Sequence, residues 1–178
     1  FETLHAILNP PVSPERADLL VMESTYGDRI HEGREDRMQR LETILLDTLE
    51  NRGVTLIPAF SLGRTQELLY ELNQVIEGIG KKHGHSALSA YDIIVDSPLA
   101  IKLTDIYEQM EPYWGQEARE ILTVDSQPFV FNNLIEIDRA GESAGNIEYL
   151  KRSGKPAIII AGSGMCAGGR IMDYLKAF

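Results

Sequence analysis

Cysteine is nearly absent: the 178-residue chain carries one, Cys166. An internal disulfide is therefore impossible, and a cytoplasmic protein is expected from this cysteine usage. Long apolar runs are also missing. None approaches the roughly 20 residues that a membrane helix needs, so no membrane partner is expected. No charged segment followed by an apolar one marks a signal peptide. Positive charge is scarce. Seventeen Lys and Arg against 27 Asp and Glu give a net charge of −10, which argues against gripping nucleic acid by bulk electrostatics but leaves room for a local arginine cluster on phosphates. Histidine occurs four times, at His5, His31, His83 and His85. The His83-x-His85 pair stands in a Gly/Lys/Ser stretch without a nearby carboxylate, so a solvated loop is the better expectation than a chelate. No histidine falls at a strand end to complete a Ser–His–Asp arrangement. The chain shows no catalytic engine of its own.

What is present is the composition of a globular protein, 43% hydrophobic and 25% charged. Four runs, "ADLLVME" (17–23), "GVTLIPAF" (53–60), "YDIIVDS" (91–97) and "KPAIIIAGSG" (155–164), are short, continuous and apolar, as strands buried on both faces are. Between them lie helical patterns. Met38, Leu41, Leu45 and Leu49 fall on one face, as do Leu68, Leu72, Val75 and Ile76. Ser97 and Pro98 have the chemistry of an N-cap and a first helical residue, and Gly154 that of a helix stop. Residues 78–90 read as a surface loop, and 113–143 as an insertion with a short helix and a short strand. Strands alternating with helices predict an α/β fold: a three-layer, Rossmann-like domain with a mostly parallel sheet flanked by helices. The chain starts at Phe1 and ends in "MDYLKAF", an amphipathic pattern without a stop, which reads as a piece of a longer protein.

Open parallel sheets bind ligands beyond the carboxyl ends of their strands. Those ends deliver Glu23-Ser24-Thr25-Tyr26, Phe60-Ser61 with Arg64, Asp96-Ser97, and Gly162-Ser163-Gly164. Each residue alone is explained as a cap or turn former; four such sets on one edge predict a site. The glycine-dense "AGSGMCAGGR" (161–170) follows a strand and opens a helix, where backbone N–H groups favour an anion. Its spacing is only a loose dinucleotide fingerprint, placed after the last strand and not the first, so a phosphate-facing loop is preferred to a nicotinamide site. Ser61, Arg64, Ser97, Ser163, Gly164 and Arg170, with Ser24, Thr25 and Tyr26, are the candidate contacts to a phosphate backbone. For the arginines, pairing with a neighbouring acid is the competing expectation.

"ESTYGDR" (23–29), "IPAFSLGRTQELLYEL" (57–72), "VDSPLA" (95–100) and "AGSGMCAGGR" resemble, in order and spacing, the β-CASP domain, the cap inserted into metallo-β-lactamase-fold nucleases such as ribonuclease J and the polyadenylation-factor nuclease. The glycine block looks most like the prokaryotic branch. The resemblance implies residues 1–16 as a connector and 17–178 as the β-CASP domain, within a parent that hydrolyses RNA with two zinc ions. It implies single-stranded RNA and the parent's own metallo-β-lactamase domain as partners, with a homodimer left open. The His-x-His-x-Asp-His metal motif of such nucleases does not occur in these 178 residues, so no zinc and no cleavage are expected of this piece alone. The resemblance also makes Glu23 the family's first acidic residue, facing the cleft and bonded to a histidine of a later motif. Two other readings compete: a non-catalytic scaffold of the same family, and a nucleotide-binding oxidoreductase domain.

Overall fold

Residues 7–9, 12–29, 36–83, 91–123, 125, 127–139 and 141–178 are described by a computed structural model. Strand formation follows the β-branched runs closely. β1 (Val54–Pro58), β2 (Asp92–Asp96), β3 (Leu134–Glu136) and β4 (Ala157–Ala161) form one sheet in the order β1-β4-β2-β3, and every neighbouring pair is parallel. β4 is central, and its five residues are all buried. Pro58, Ala161 and Asp96 share one rung, so three strands end flush.

Side chains alternate across β2 and β4. Ile93, Val95, Ile158 and Ile160 enter one core, shared with α1 (Arg37–Glu50), α2 (Arg64–His83), α3 (Pro98–Gln109) and α4 (Gln116–Leu122). Ile94, Ile159, Ala157 and Ala161 enter another, shared with α5 (Glu142–Ser153) and α6 (Ile171–Ala177). These two cores make the expected three layers, and each fully buried isoleucine contributes about 1.5–3 kcal/mol. A 3₁₀ turn at Glu111–Tyr113 leads to Trp114, which is buried edge-on against Phe129 with ring centroids 5.5 Å apart. Among the described residues, no helix is long and apolar enough to cross a membrane.

Local signals behave as their chemistry requires. The Ser97 hydroxyl accepts from Ala100 N at 3.2 Å with Pro98 opening α3, and Gly154 closes α5 in the left-handed region at φ 58°. Two expectations fail. The loop expected from residue 78 is helical as far as His83, because Ile79 is fully buried and anchors the turn that Gly78 and Gly80 would weaken. Lys82 bonds Glu42 of α1 at 2.7 Å from the same turn. The strand expected at 17–23 does not form: Leu19 and Val21 are 83% and 86% exposed. A parallel strand exists only through lateral pairing and cover on both faces, and this segment has neither among the described residues.

Candidate functional site

After β1 and after β2 the chain turns to helices on one face of the sheet, α2 and α3; after β4 it turns to α6 on the other. The crevice forced open at such a divergence is where doubly wound sheets hold ligands. A cleft of about 460 Å³ lies there, lined from the β1 end by Phe60 and Ser61, from the β2 end by Asp96, Ser97 and Leu99, and from beyond β4 by Ser163 and Arg170.

Its rim is braced from beneath. Gln66, fully buried in the first turn of α2, donates to Ser61 O at 3.2 Å, Ala100 O at 3.3 Å and Thr104 Oγ1 at 3.0 Å, and accepts from Gly63 N at 2.8 Å. Thr65 Oγ1 donates to Phe60 O at 2.8 Å. These bonds hold the β1–α2 loop so that Ser61 Oγ lies 3.1 Å from Ser97 Oγ, two hydroxyls from different loops at the cleft wall. Phe60 is 56% exposed.

The loop between β4 and α6 closes on itself through Ser163 N to Gly168 O at 3.3 Å, Cys166 N to Ser163 O at 3.1 Å and Ile171 N to Gly162 O at 2.8 Å. Two glycines are sterically required. A Cβ on Gly169, at φ 76°, would stand 2.6 Å from Gly162 O, and one on Gly164 would stand 2.9 Å from the Phe60 ring. The N–H groups of Gly164, Met165, Ala167 and Gly168 have no protein acceptor among the described residues.

Asp96 is fully buried. It accepts from Arg170 Nη1 and, at 2.7 Å, from Tyr174 OH. Tyr174 OH in turn accepts from Asn146 Nδ2 at 3.0 Å. Burial first, and then the bond to Asp96, push the Tyr174 phenol up. Arg170 also donates to Ile137 O at 3.2 Å and Arg139 O at 3.1 Å.

The sequence-derived candidates thus divide. Ser61, Ser97, Ser163 and Arg170 line one cleft, and Gly164 belongs to the loop beside it. Arg64 is on α2 in an exposed ion pair with Glu67 at 3.1 Å, three residues along the helix. Glu23, Ser24, Thr25 and Tyr26 sit in the exposed segment before a turn, where Gly27 N donates to Ser24 O at 3.0 Å. Glu23 is fully exposed and accepts from Thr25 N at 2.9 Å, and that bond holds its carboxyl below the ordinary range. Gln66, Thr65 and Tyr174 escaped sequence reasoning. Buried at helical spacing, they resemble ordinary core-facing positions, and their partners are remote in sequence. As for metal, no group of three or more His, Cys, Asp and Glu among the described residues could hold an ion. The residues described here do not fit a zinc centre. His5, His31 and His85 lie outside them.

Comparison with known proteins agrees with this architecture. Ribonuclease TTHA0252 of Thermus thermophilus is 35% identical over 96% of this chain and 36% of its own length. Endoribonuclease ysh1 of Schizosaccharomyces pombe is 34% identical over 89% of this chain and 19% of its own. Cleavage and polyadenylation specificity factor 73 of Drosophila melanogaster is 32% identical over 94% of this chain and 22% of its own. The chain therefore spans about a third or less of the length of these curated relatives. The model of the Beta-Casp domain matches residues 65–178, from the buried Thr65 that braces the cleft through the glycine loop to the end of α6, and the chain belongs to the β-CASP family.

Proposed function

We propose that this chain is the substrate-gripping domain of a metal-dependent nuclease that hydrolyses RNA phosphodiester bonds. The observation that carries the reading is the cleft at the divergence of β1, β2 and β4, in a chain whose relatives are named as ribonucleases. Its wall offers what a sugar–phosphate backbone uses, the Ser61 and Ser97 hydroxyls and the Ser163 side chain, and the glycine loop beside it adds backbone N–H groups without a protein acceptor among the described residues. Arg64 and the Ser24–Tyr26 turn are further contacts in this reading. Phosphate contacts of this kind position a strand without reading its sequence.

In this reading a metallo-β-lactamase domain outside these residues would hold two zinc ions, whose chemistry would be activation of a water and charge neutralisation at the scissile phosphate. The present residues bind and orient the strand; residues 1–178 alone cleave nothing. Glu23 belongs to the same site through its resemblance to the family's acidic residue, with its histidine partner outside this sequence. A bond between a carboxylate and such a histidine is worth about 1.5–3 kcal/mol.

The full-length protein, incubated with an end-labelled single-stranded RNA oligonucleotide, tests this. Cleavage that a chelator stops and zinc restores is expected, with none by residues 1–178. In the full-length protein, Glu23→Ala is expected to lower kcat about ten- to a hundred-fold. Failure of the zinc-loaded full-length protein to cut any RNA would overturn the nuclease reading and leave a scaffold. Unchanged turnover in the Glu23 variant would remove that residue from the site.

A further inference from the structure

Arg170, one of the candidate phosphate contacts, is heavily bonded within the fold. Its guanidinium meets three acceptors from two other elements: the Asp96 carboxylate at the end of β2, and the carbonyls of Ile137 and Arg139 just past β3, at 3.2 and 3.1 Å. Arg170 itself stands where the glycine loop ends and α6 begins. One planar fork thus ties the ends of β2 and β3 to the point where the glycine loop closes. An ammonium has neither the reach nor the geometry to meet all three acceptors at once.

The second carboxylate oxygen of Asp96 takes the Tyr174 hydroxyl at 2.7 Å, and that hydroxyl is held by Asn146 at 3.0 Å. Asp96 is therefore fixed from the layer below as well as from the loop. It is fully buried, whereas the Arg170 side chain is 23% exposed. A substrate phosphate could recruit this guanidinium only by stranding a buried carboxylate, which costs more than one exposed phosphate contact returns.

We propose that Arg170 is a positioning residue. Through Asp96 and the two carbonyls it sets the 162–169 loop at the cleft, and it adds no net positive charge to the surface that meets RNA. This rests on the cleft being the RNA site. The groups that the cleft wall itself offers a phosphate are then neutral, the hydroxyls of Ser61 and Ser97, and positive charge is left to Arg64 outside that wall, in keeping with a chain of net charge −10.

The test uses the full-length protein with Arg170→Lys, Arg170→Gln and Tyr174→Phe. Amide hydrogen exchange is measured at Ser163, Cys166, Ile171 and Met172, all bonded within or beside the loop. Affinity for a single-stranded RNA oligonucleotide is measured across a salt series. Both Arg170 variants are expected to exchange at those amides at least about tenfold faster than wild type while β4 stays protected. Lysine is expected to be no better than glutamine. The slope of log affinity against log salt is expected to be unchanged in both, with kcat reduced more than KM is raised. A phosphate contact would give the opposite pattern: near-wild-type behaviour for lysine, and a slope smaller by about 0.7 for glutamine. That result would overturn the proposal. Should both Arg170 variants fail to fold, Tyr174→Phe decides: faster loop exchange with an unchanged salt slope supports the clamp, and wild-type exchange overturns it. If the wild-type protein neither binds nor cuts RNA, the functional reading falls, while the exchange data still decide whether Arg170 holds the loop.

Discussion

Two stretches of this chain share one design on paper. "LLVMESTYG" and "AIIIAGSGMCAGG" are both apolar runs that break into hydroxyls and glycine. In the folded chain they have opposite fates. β4 pairs on both sides, is buried along its whole length, and leads into a loop in which Gly164 and Gly169 leave no room for a methyl group. Residues 17–29 pair with nothing in the sheet and are exposed throughout. The apolar pattern is thus permission to be a strand and not a cause of one; the cause is a strand to pair with and cover over the faces.

The sharpest way to break that contrast is to remove what ties the β4 loop to its neighbours. Asp96→Ala leaves Arg170 facing two carbonyls without its carboxylate, and is expected to destabilise the chain by about 3–5 kcal/mol in urea unfolding. A loss under about 1 kcal/mol would mean that the clamp is dispensable. Ser97→Ala removes the cap of α3 and one of the paired hydroxyls. The expected loss is about 1 kcal/mol by the same measurement, with α3 the first helix to lose amide protection.

A smaller effect, of opposite sign, comes from the outer strand β3. Burial, followed by the nearby Asp105, Glu108 and Asp138, raises the Glu136 carboxyl above its ordinary value. The folded chain then holds this proton to a higher pH than the unfolded chain does. The stability it lends is fully present below the unfolded value, declines as pH rises through the folded value, and is absent at neutrality. Glu136→Gln should therefore raise Tm slightly at pH 7 and flatten the fall in Tm above the usual glutamate range. An unchanged Tm–pH curve would show that solvent screens the group fully. Smallest of all, Val21→Ser in the exposed run should alter stability by no more than about 0.5 kcal/mol. A core-sized loss, in either the isolated chain or the full-length protein, would show that this segment is packed after all.

Much of the scaffold was legible because its signals are local. Three of the four expected strands, the Ser97–Pro98 cap and the Gly154 stop each depend on residues a few positions apart. The strand ends that line the cleft followed from the α/β alternation and the rule about carboxyl edges. Illegible were the features made by distant pairs. Gln66 finds Ala100 and Thr104, and Asp96 finds Arg170 and Tyr174, across separations of 34 to 78 residues. No periodicity announces such pairings. Arg64 shows a pairing that is local: the competing expectation of a neighbouring acid is met by a glutamate three positions on, within reach along the same helix face.

The central place of β4 has a further consequence, in the order of assembly. β1 and β2 are synthesised early yet never touch as ladder neighbours. Each must wait for a strand made later, and β1 pairs only with one that follows roughly a hundred residues behind it. A nascent chain that has not yet exposed residues 157–161 holds a β2–β3 pair and an unpartnered β1, both with open flanks, the kind of intermediate that chaperones shield. The strand that carries the glycine loop to the cleft is thus also the keystone: when it slots in, the sheet closes and the cleft comes into being in the same event.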